Sequence, residues 1–129
     1  MSDIKVTFPG GKKVATEVRG FTVVADQTES SGGDNSAPSP FEYFLMSVAS
    51  CTGMTILAFC QNKGIDTTDL KMEVNAQRNE AGELIKIVTE VTRPKDFPEK
   101  YMGAIEHITK TCKVKRTIEN PPEFEIIVK

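Results

Sequence analysis

The first part of the chain alternates apolar and polar residues in the way that antiparallel strands do. Residues 4–8 and 13–18 alternate on either side of a Pro-Gly-Gly-Lys turn, and Phe21 to Ala25 offers a further short run. Alternation with a period of two gives a strand one apolar face, and glycine permits a tight turn between strands. We therefore predict that the chain opens with a small antiparallel sheet of three strands.

A loop and then a long helix are predicted next. Residues 28–38 are rich in Ser, Gly, Asp, Asn and Pro and show no apolar period, which is typical of a loop. Ser39 can cap the helix that follows, and Pro40 suits the first helical position. Glu42 stands three residues after the cap, so it can complete a capping box.

This helix is apolar on more than one face. Its residues from Phe41 to Phe59 follow helical spacing, yet apolar side chains also occupy the remaining faces. Polar residues interrupt the run, which makes it a poor membrane span, and we expect a core helix that ends at Lys63-Gly64. Because a chain of 129 residues has little material to cover such a helix, we expect a second copy to complete the covering in a homodimer.

The second half of the chain begins with a predicted hairpin and ends with a predicted strand. Apolar residues alternate over 70–76 and 85–91, and residues 79–82 read as the loop between them. Pro121-Pro122 near the end leads into a last apolar run over 124–128. We expect the hairpin to contain the two longest strands.

A second helix is predicted between the hairpin and the last strand. Asp96 and Glu99 repeat the capping pattern, and the helix would carry one apolar stripe. The stripe consists of Tyr101, Ile105, Ile108 and Cys112. The order of elements predicts one α+β domain over residues 1–129, with antiparallel sheets packed around a long central helix and a second helix.

Composition places the chain among ordinary globular domains. Hydrophobic residues make up 39% and charged residues 26% of it, so neither a disordered nor a fibrous chain is indicated. The net charge of −2, with only one local basic cluster at residues 113–116, predicts no nucleic-acid partner and no membrane association. Its N-terminus lacks the pattern of a signal peptide, so we expect a cytoplasmic protein.

The three cysteines are the main candidates for chemistry, because structural disulfides are rare in the cytoplasm. Cys51 has small neighbours within residues 49–53, which would let a ligand approach its sulfur. Cys60 lies nine residues further along the same helix, too far to form a disulfide with Cys51. Cys112 precedes the basic cluster, which favours a thiolate, so it is the better partner for Cys51. All three could also be small buried hydrophobes, and we favour that interpretation for Cys60.

Three other polar residues have both a structural and a functional interpretation. The capping box explains Glu42 without any catalysis. Arg19 could direct its guanidinium at a thiolate or a peroxide, although an exposed arginine in a turn is the commoner case. His107 is the only histidine, and without a C-x-x-C or carboxylate-histidine pattern we predict no metal site and a surface or interface position for it.

Two segments carry a resemblance to a known family. Residues 37–52, APSPFEYFLMSVASCT, resemble the long helix of the OsmC/Ohr family, with a proline and acidic start and an Ala/Ser-Cys centre. Residues 111–118, TCKVKRTI, are similar to the second cysteine segment of that family. The order of the predicted strands, loop and helices agrees with the family over nearly the whole chain.

The resemblance implies an intertwined homodimer with two cysteine sites at the subunit interface, which reduces organic hydroperoxides or hydrogen peroxide without a cofactor. It implies that Cys51 is the peroxidatic nucleophile and that Cys112 is the resolving thiol. In that scheme the sulfenic acid formed on Cys51 condenses with Cys112 to a disulfide. A dithiol reductant, lipoyl-type in some members, then restores both thiols.

The chain departs from the best-known peroxidases of the family. Those enzymes place a catalytic glutamate ten residues before the first cysteine, where this chain has Phe41, and Glu42 would point about 100° away on a helix. The loop over 28–38 contains no arginine, so Arg19 is the candidate substitute, and Lys113 stands where a proline is common. The chain therefore resembles branches that keep both cysteines without the full Arg/Glu setting.

We predict a thiol-dependent peroxidase of oxidative-stress defence, with two alternatives. A dimeric binding or redox-sensing protein would hold a small molecule in an apolar interface pocket, and Phe41 in place of a carboxylate favours it. A thiol-disulfide exchanger, or a hydrolase with Cys51 as nucleophile, is disfavoured by the lack of a C-x-x-C motif and of a histidine base.

Overall fold

The computed structural model describes residues 3–129. Its elements in chain order are β1 (Lys5–Gly10), β2 (Lys13–Val18), β3 (Phe21–Ala25), α1 (Pro40–Asn62), β4 (Lys71–Arg78), β5 (Leu84–Thr92), α2 (Met102–Ile108) and α3 (Lys113–Glu119). Two compact units are formed, Met1–Phe44 and Leu45–Lys129. The predicted α+β class with antiparallel sheets is confirmed, and the prediction of a single domain remains untested.

The first unit contains an antiparallel sheet in the order β1-β2-β3, as predicted. Its register pairs Val6 with Thr16 and Thr16 with Val23, so that Val6, Phe21 and Val23 share one face of the sheet. These three side chains are 50%, 62% and 42% exposed. An apolar face of the sheet is therefore left largely uncovered.

A buried carboxylate organises the loop between β3 and α1. Asp26 is 1% exposed and accepts hydrogen bonds from the hydroxyl of Ser36 at 2.6 Å and from three main-chain N–H groups. Those groups belong to Gln27 at 2.8 Å, Ser36 at 3.0 Å and Asp34 at 3.3 Å. A Cβ at Gly33 would collide with the carbonyl oxygen of Gln27, so only glycine fits beside this carboxylate.

Helix α1 begins as the sequence predicts. The Ser39 N–H donates to Glu42 Oε1 at 2.9 Å and the Glu42 N–H donates to Ser39 Oγ at 3.3 Å, which confirms the capping box. The Tyr43 hydroxyl donates to the Val24 carbonyl at 2.6 Å and so ties the first turn to β3. Gly64 follows the helix end with a φ of 68°, a conformation that suits glycine.

In the second unit, β4 and β5 form the predicted hairpin, with Met72 paired to Val91 and Val74 to Thr89. The core of this unit contains Ile56, Cys60 and Phe97. The side chains packed around it come from α1, from the connection between α1 and β4, from the hairpin and from the segment that includes α2: Phe59, Ile65, Leu70, Met72, Val91, Tyr101 and Ile105. Helix α1 and the hairpin therefore share one hydrophobic core.

The capping box predicted from Asp96 and Glu99 is wrong. Asp96 has a φ of 62°, which is not helical, and a 3₁₀ turn over Glu99–Tyr101 begins after Pro98 with no side-chain cap. The Glu99 carboxylate instead accepts from the Arg93 guanidinium at 3.0 Å. Glu99 therefore forms an ion pair with the residue that follows β5 and does not cap a helix.

The prediction that Cys112 lies on the stripe of the second helix is also wrong. Helix α2 ends at Ile108, and the hydroxyls of Thr109 and Thr111 donate to main-chain carbonyls three residues earlier, at 3.0 and 2.6 Å. Such local bonds compete with helix continuation. Cys112 follows in an extended conformation, with φ −55° and ψ 126°, and α3 begins at Lys113.

The strand predicted over 124–128 is not formed. Phe124, Ile126 and Val128 are each 89% exposed, and within residues 3–129 this segment pairs with no strand. A strand needs a neighbour for its main-chain N–H and C=O groups. The apolar alternation is present in the sequence, but its pairing partner is not in this chain's two sheets.

Helix α1 is, by its 23 residues and its composition, long and apolar enough to cross a membrane. The core helix of a globular protein meets the same criterion, and a single helix of this kind is weak evidence for a span. One face of α1 contributes to the core of the second unit, as expected of a core helix, but only 22% of its most apolar stretch is buried within the chain.

Asp26 makes a testable contribution to stability. Hydrogen bonds from Ser36 first, and then from Gln27 and Asp34, lower the pKa of its carboxyl from 3.8 to about 2 in the folded protein. A lowered pKa stabilises the fold above the unfolded value, so this contribution is complete above about pH 5 and disappears as the pH falls to about 2. We expect Asp26→Asn to be less stable than the wild type at pH 7, with a difference that shrinks over this range in denaturant unfolding.

The matched control is Asp69→Asn, which removes an exposed carboxylate. Its stability should follow that of the wild type through the same pH range. A stability difference for Asp26→Asn that does not change with pH would contradict the assigned role of the ionised carboxylate.

Candidate functional site

Cys51 and Cys112 come together in the second unit. Helix α1 presents Cys51 half-buried, and the extended residue before α3 presents Cys112, which is 1% exposed. The Cys112 side chain and the main-chain N–H groups of Val114 and Lys113 lie near the sulfur of Cys51 and act on its ionisation as hydrogen-bond donors. Both cysteines are free thiols in this arrangement.

These contacts change the acidity of Cys51. The hydrogen bond from Cys112 has the largest effect and lowers the pKa of the Cys51 thiol, and the Val114 and Lys113 N–H groups lower it further. Partial burial acts in the opposite direction and is outweighed. Since the thiolate is the nucleophilic form of cysteine, these contacts favour the reactive form of Cys51.

The local sequence of α1 explains how Cys51 is held. Its carbonyl accepts a hydrogen bond from the Thr55 hydroxyl at 3.0 Å, one turn further along the helix. A Cβ at Gly53 would lie 3.7 Å from the sulfur of Met72, so the hairpin packs closely against this part of the helix. Thr52 is buried on the adjacent face. The small residues around Cys51 therefore allow close packing of the helix.

Cys60 has a different environment. It is fully buried in the core beside Ile56 and Phe97, and burial raises the pKa of its thiol. A buried thiol with a raised pKa is a poor nucleophile. The structure therefore places Cys60 as a small core side chain, in agreement with the interpretation favoured from the sequence.

Glu42 and Arg19 lie in the first unit and have structural contacts there. The Glu42 carboxylate is occupied by the capping box, and the Ser39 N–H lowers the pKa of this carboxyl. Arg19 adopts a φ of 52° in the turn between β2 and β3, and its guanidinium lies 5.2 Å from the ring centroid of Phe21. Their catalytic roles remain predictions.

His107 is exposed on α2. In the part of the chain that the structure describes, no group of three or more His, Cys, Asp or Glu side chains is arranged to hold a metal ion.

An apolar cavity of about 660 Å³ lies within the second unit. Val48, Thr52 and Ile56 of α1 form one wall, and β5, α2 and α3 contribute the others. Its charged lining residues are Lys86, Arg93, Glu106, Lys115 and Glu119. Because Thr52 follows Cys51 in α1, the cavity lies beside the helix that carries the half-buried thiol.

The main-chain donors to Cys51 were not predicted from the sequence. An N–H group is present at every residue except proline, so no residue type at positions 113 and 114 marks it as a donor. The position of these groups depends on where α2 ends and α3 begins, with Cys112 in an extended conformation before α3.

Residues 33–127 match the family described as OsmC-like protein. The chain belongs to the OsmC-like protein family. The matched range includes both Cys51 and Cys112, so the resemblance seen in the two cysteine segments is confirmed. A comparison with curated protein sequences finds no match.

Solved structures of OsmC-like proteins have the same fold. A protein from Psychrobacter arcticus named for osmotic stress and a detoxification response is 20% identical, covers 91% of this chain and 88% of its own, and has a TM-score of 0.77. An OsmC-like protein from Mycoplasma pneumoniae is 17% identical, and the match covers 94% of this chain and 89% of that protein, with a TM-score of 0.73. An organic hydroperoxide resistance protein OsmC from Legionella pneumophila is 18% identical, and the match covers 92% of this chain and 88% of that protein, with a TM-score of 0.59.

Proposed function

We propose that this OsmC-like protein is a thiol-dependent peroxidase that reduces organic hydroperoxides, and also hydrogen peroxide, in oxidative-stress defence. The observation that carries the proposal is the pairing of a half-buried thiol of lowered pKa, Cys51, with a second free thiol, Cys112. A nucleophile and a resolving thiol are the two groups that a two-cysteine reduction needs.

The reaction conserves atoms and electrons in three steps. The Cys51 thiolate attacks one oxygen of the O–O bond, the bond breaks, and the alcohol or water leaves after taking up a proton. The sulfenic acid on Cys51 then condenses with the Cys112 thiol, which forms a disulfide and releases water. A dithiol reductant, of the lipoyl type in our proposal, supplies the two electrons that restore both thiols.

The likeness to other OsmC-like proteins supports the proposal in a general way. The Legionella protein is named for organic hydroperoxide resistance, and the Psychrobacter protein is named for osmotic stress and a detoxification response. At 18% and 20% identity the likeness itself is one of fold.

We propose further that the chain acts as one soluble domain in the cytoplasm and needs no cofactor.

A second candidate function is binding of a small apolar molecule. The cavity of about 660 Å³ falls within the range of ligand pockets, and its walls are largely apolar. In this alternative the protein holds its ligand beside α1, and the cysteines sense redox conditions without rapid turnover of peroxide.

The peroxidase proposal is tested by stopped-flow reaction of the reduced protein with cumene hydroperoxide and with hydrogen peroxide. We expect Cys51→Ser to lower the rate of peroxide consumption at least a hundredfold, because the attacking thiolate is lost. Cys112→Ser should keep one turnover and accumulate a sulfenic acid on Cys51 that a dimedone reagent traps, because the resolving thiol is absent.

The control is Cys60→Ala, which changes a core thiol outside the site and should react as the wild type does. Full retention of all three thiols under excess peroxide would exclude the peroxidase and leave the binding function. Saturable binding of an apolar fluorescent probe, with no loss of thiols, would then support that alternative.

We also propose a homodimer, because apolar surface is left uncovered in both units. In the first unit Val6, Phe21 and Val23 form the exposed apolar face of the sheet. In the second, the apolar alternation over 124–128 is exposed and unpaired within the sheets that the structure describes. Monomeric proteins rarely leave contiguous apolar surface of this kind, and a second copy would cover it.

The dimer is tested by light scattering in solution. We expect a mass about twice the 14.2 kDa of the chain, and we expect Val6→Asp to weaken the dimer at least tenfold by placing a charge on the covered face. Thr7→Asp places the same charge on the opposite face of β1 and should leave the mass unchanged. A wild-type mass of one chain at micromolar concentration would contradict the proposal.

A further inference from the structure

The apolar cavity of the second unit has a buried polar group in its wall. Thr52 of α1 lines the cavity and is only 6% exposed. Val48 and Ile56, one helical turn before and after it, also line the cavity, and both are buried apolar side chains. Residues four positions apart lie on one face of a helix, so the Thr52 hydroxyl interrupts an otherwise apolar stripe.

The Thr52 hydroxyl has no hydrogen-bond partner within residues 3–129. A hydroxyl inside a helix commonly donates to the carbonyl four residues earlier. Ser50 donates in this way to the Met46 carbonyl at 2.7 Å, and Thr55 donates to the Cys51 carbonyl at 3.0 Å. In the described part of the chain, no side-chain N or O atom is sealed in the interior without a partner. The Thr52 hydroxyl is therefore open to the cavity that its residue lines.

The charges of the lining are placed differently from this hydroxyl. All the charged lining residues are exposed to solvent, and they carry both signs: Lys86, Arg93, Glu106, Lys115 and Glu119. An ion bound beside Thr52 would lie among buried apolar side chains, away from water and without a buried opposite charge, which is energetically costly. A neutral polar group needs only one hydrogen-bond partner there, and the hydroxyl supplies it.

We propose that the cavity binds a neutral, apolar molecule that carries one hydroxyl or carbonyl group, and that the Thr52 hydroxyl hydrogen-bonds this group. The inference rests on the binding function proposed for the cavity and adds the chemical class of the ligand. Apolar walls with a few well-placed polar groups are typical of small-molecule sites. Cys51 does not line the cavity, so the ligand site is separate from the pair of cysteines.

The experiment titrates the reduced, full-length protein at about pH 7 with naphthalene, 2-naphthol and 2-naphthoate, and follows binding by ligand fluorescence. The three probes share one ring system and differ in carrying no polar group, a neutral hydroxyl or a charged carboxylate. We expect 2-naphthol to bind about fivefold more tightly than naphthalene, because it gains a hydrogen bond to Thr52. We expect 2-naphthoate to bind at least roughly tenfold more weakly than 2-naphthol, because its charge would have to leave water.

Two changes at one position separate the hydroxyl from the shape of the side chain. Thr52→Val replaces the hydroxyl with a methyl group, and it should abolish the preference for 2-naphthol while naphthalene binds within about twofold of the wild type. Thr52→Ser keeps the hydroxyl and should keep the preference. The matched control is Thr55→Val, which removes a hydroxyl of the same helix that is already hydrogen-bonded and does not line the cavity. This control should bind all three probes as the wild type does.

The outcomes distinguish the inference from the functions on which it builds. A preference for 2-naphthol that persists in Thr52→Val would overturn the inference and leave the cavity as a binding site. Wild-type protein that shows no such preference, or that binds 2-naphthoate as tightly as 2-naphthol, would overturn it without any variant. Binding of none of the probes, as expected if a second copy fills the cavity, would overturn both the inference and the binding function. The peroxidase proposal depends on none of these results.

Discussion

The structure of the candidate site depends on the hydrogen bonds that converge on the sulfur of Cys51. They join the middle of α1 to the start of α3, two segments about sixty residues apart in the sequence, and one of them comes from a second thiol. Without these hydrogen bonds, partial burial would act alone on Cys51 and would raise the pKa of its thiol. Three features bring these groups together. They are the end of α2 before the start of α3, the extended conformation of Cys112 between the two helices, and the small residues of α1 around Cys51.

Several carboxylates of the chain have structural roles in the fold. Glu42 holds the N-terminus of α1 through the capping box, and Asp26 organises the preceding loop from a buried position. Glu99, predicted to cap a helix, instead pairs with Arg93. The chemistry that the geometry supports is therefore concentrated on two sulfur atoms and main-chain donors.

Local features could be predicted from the sequence because neighbouring residues determine them. The capping box of Ser39 and Glu42, the limits of β3 and the hairpin of β4 and β5 depend on residue types a few positions apart. The break before Cys112 was not predicted, because it depends on threonine hydroxyls that compete for helix carbonyls. The last strand was predicted from its alternation alone, and alternation does not supply the neighbouring strand that pairing requires.

The central claim is that Cys51 and Cys112 form one redox pair with Cys60 outside it, and disulfide mapping tests this most directly. The reduced protein is treated with one equivalent of cumene hydroperoxide, the remaining thiols are blocked, and the peptides are identified by mass without reduction. The account predicts a single linked pair of peptides that contains Cys51 and Cys112, with Cys60 blocked as a free thiol. A linkage that includes Cys60, or three blocked thiols with no linkage, would contradict it.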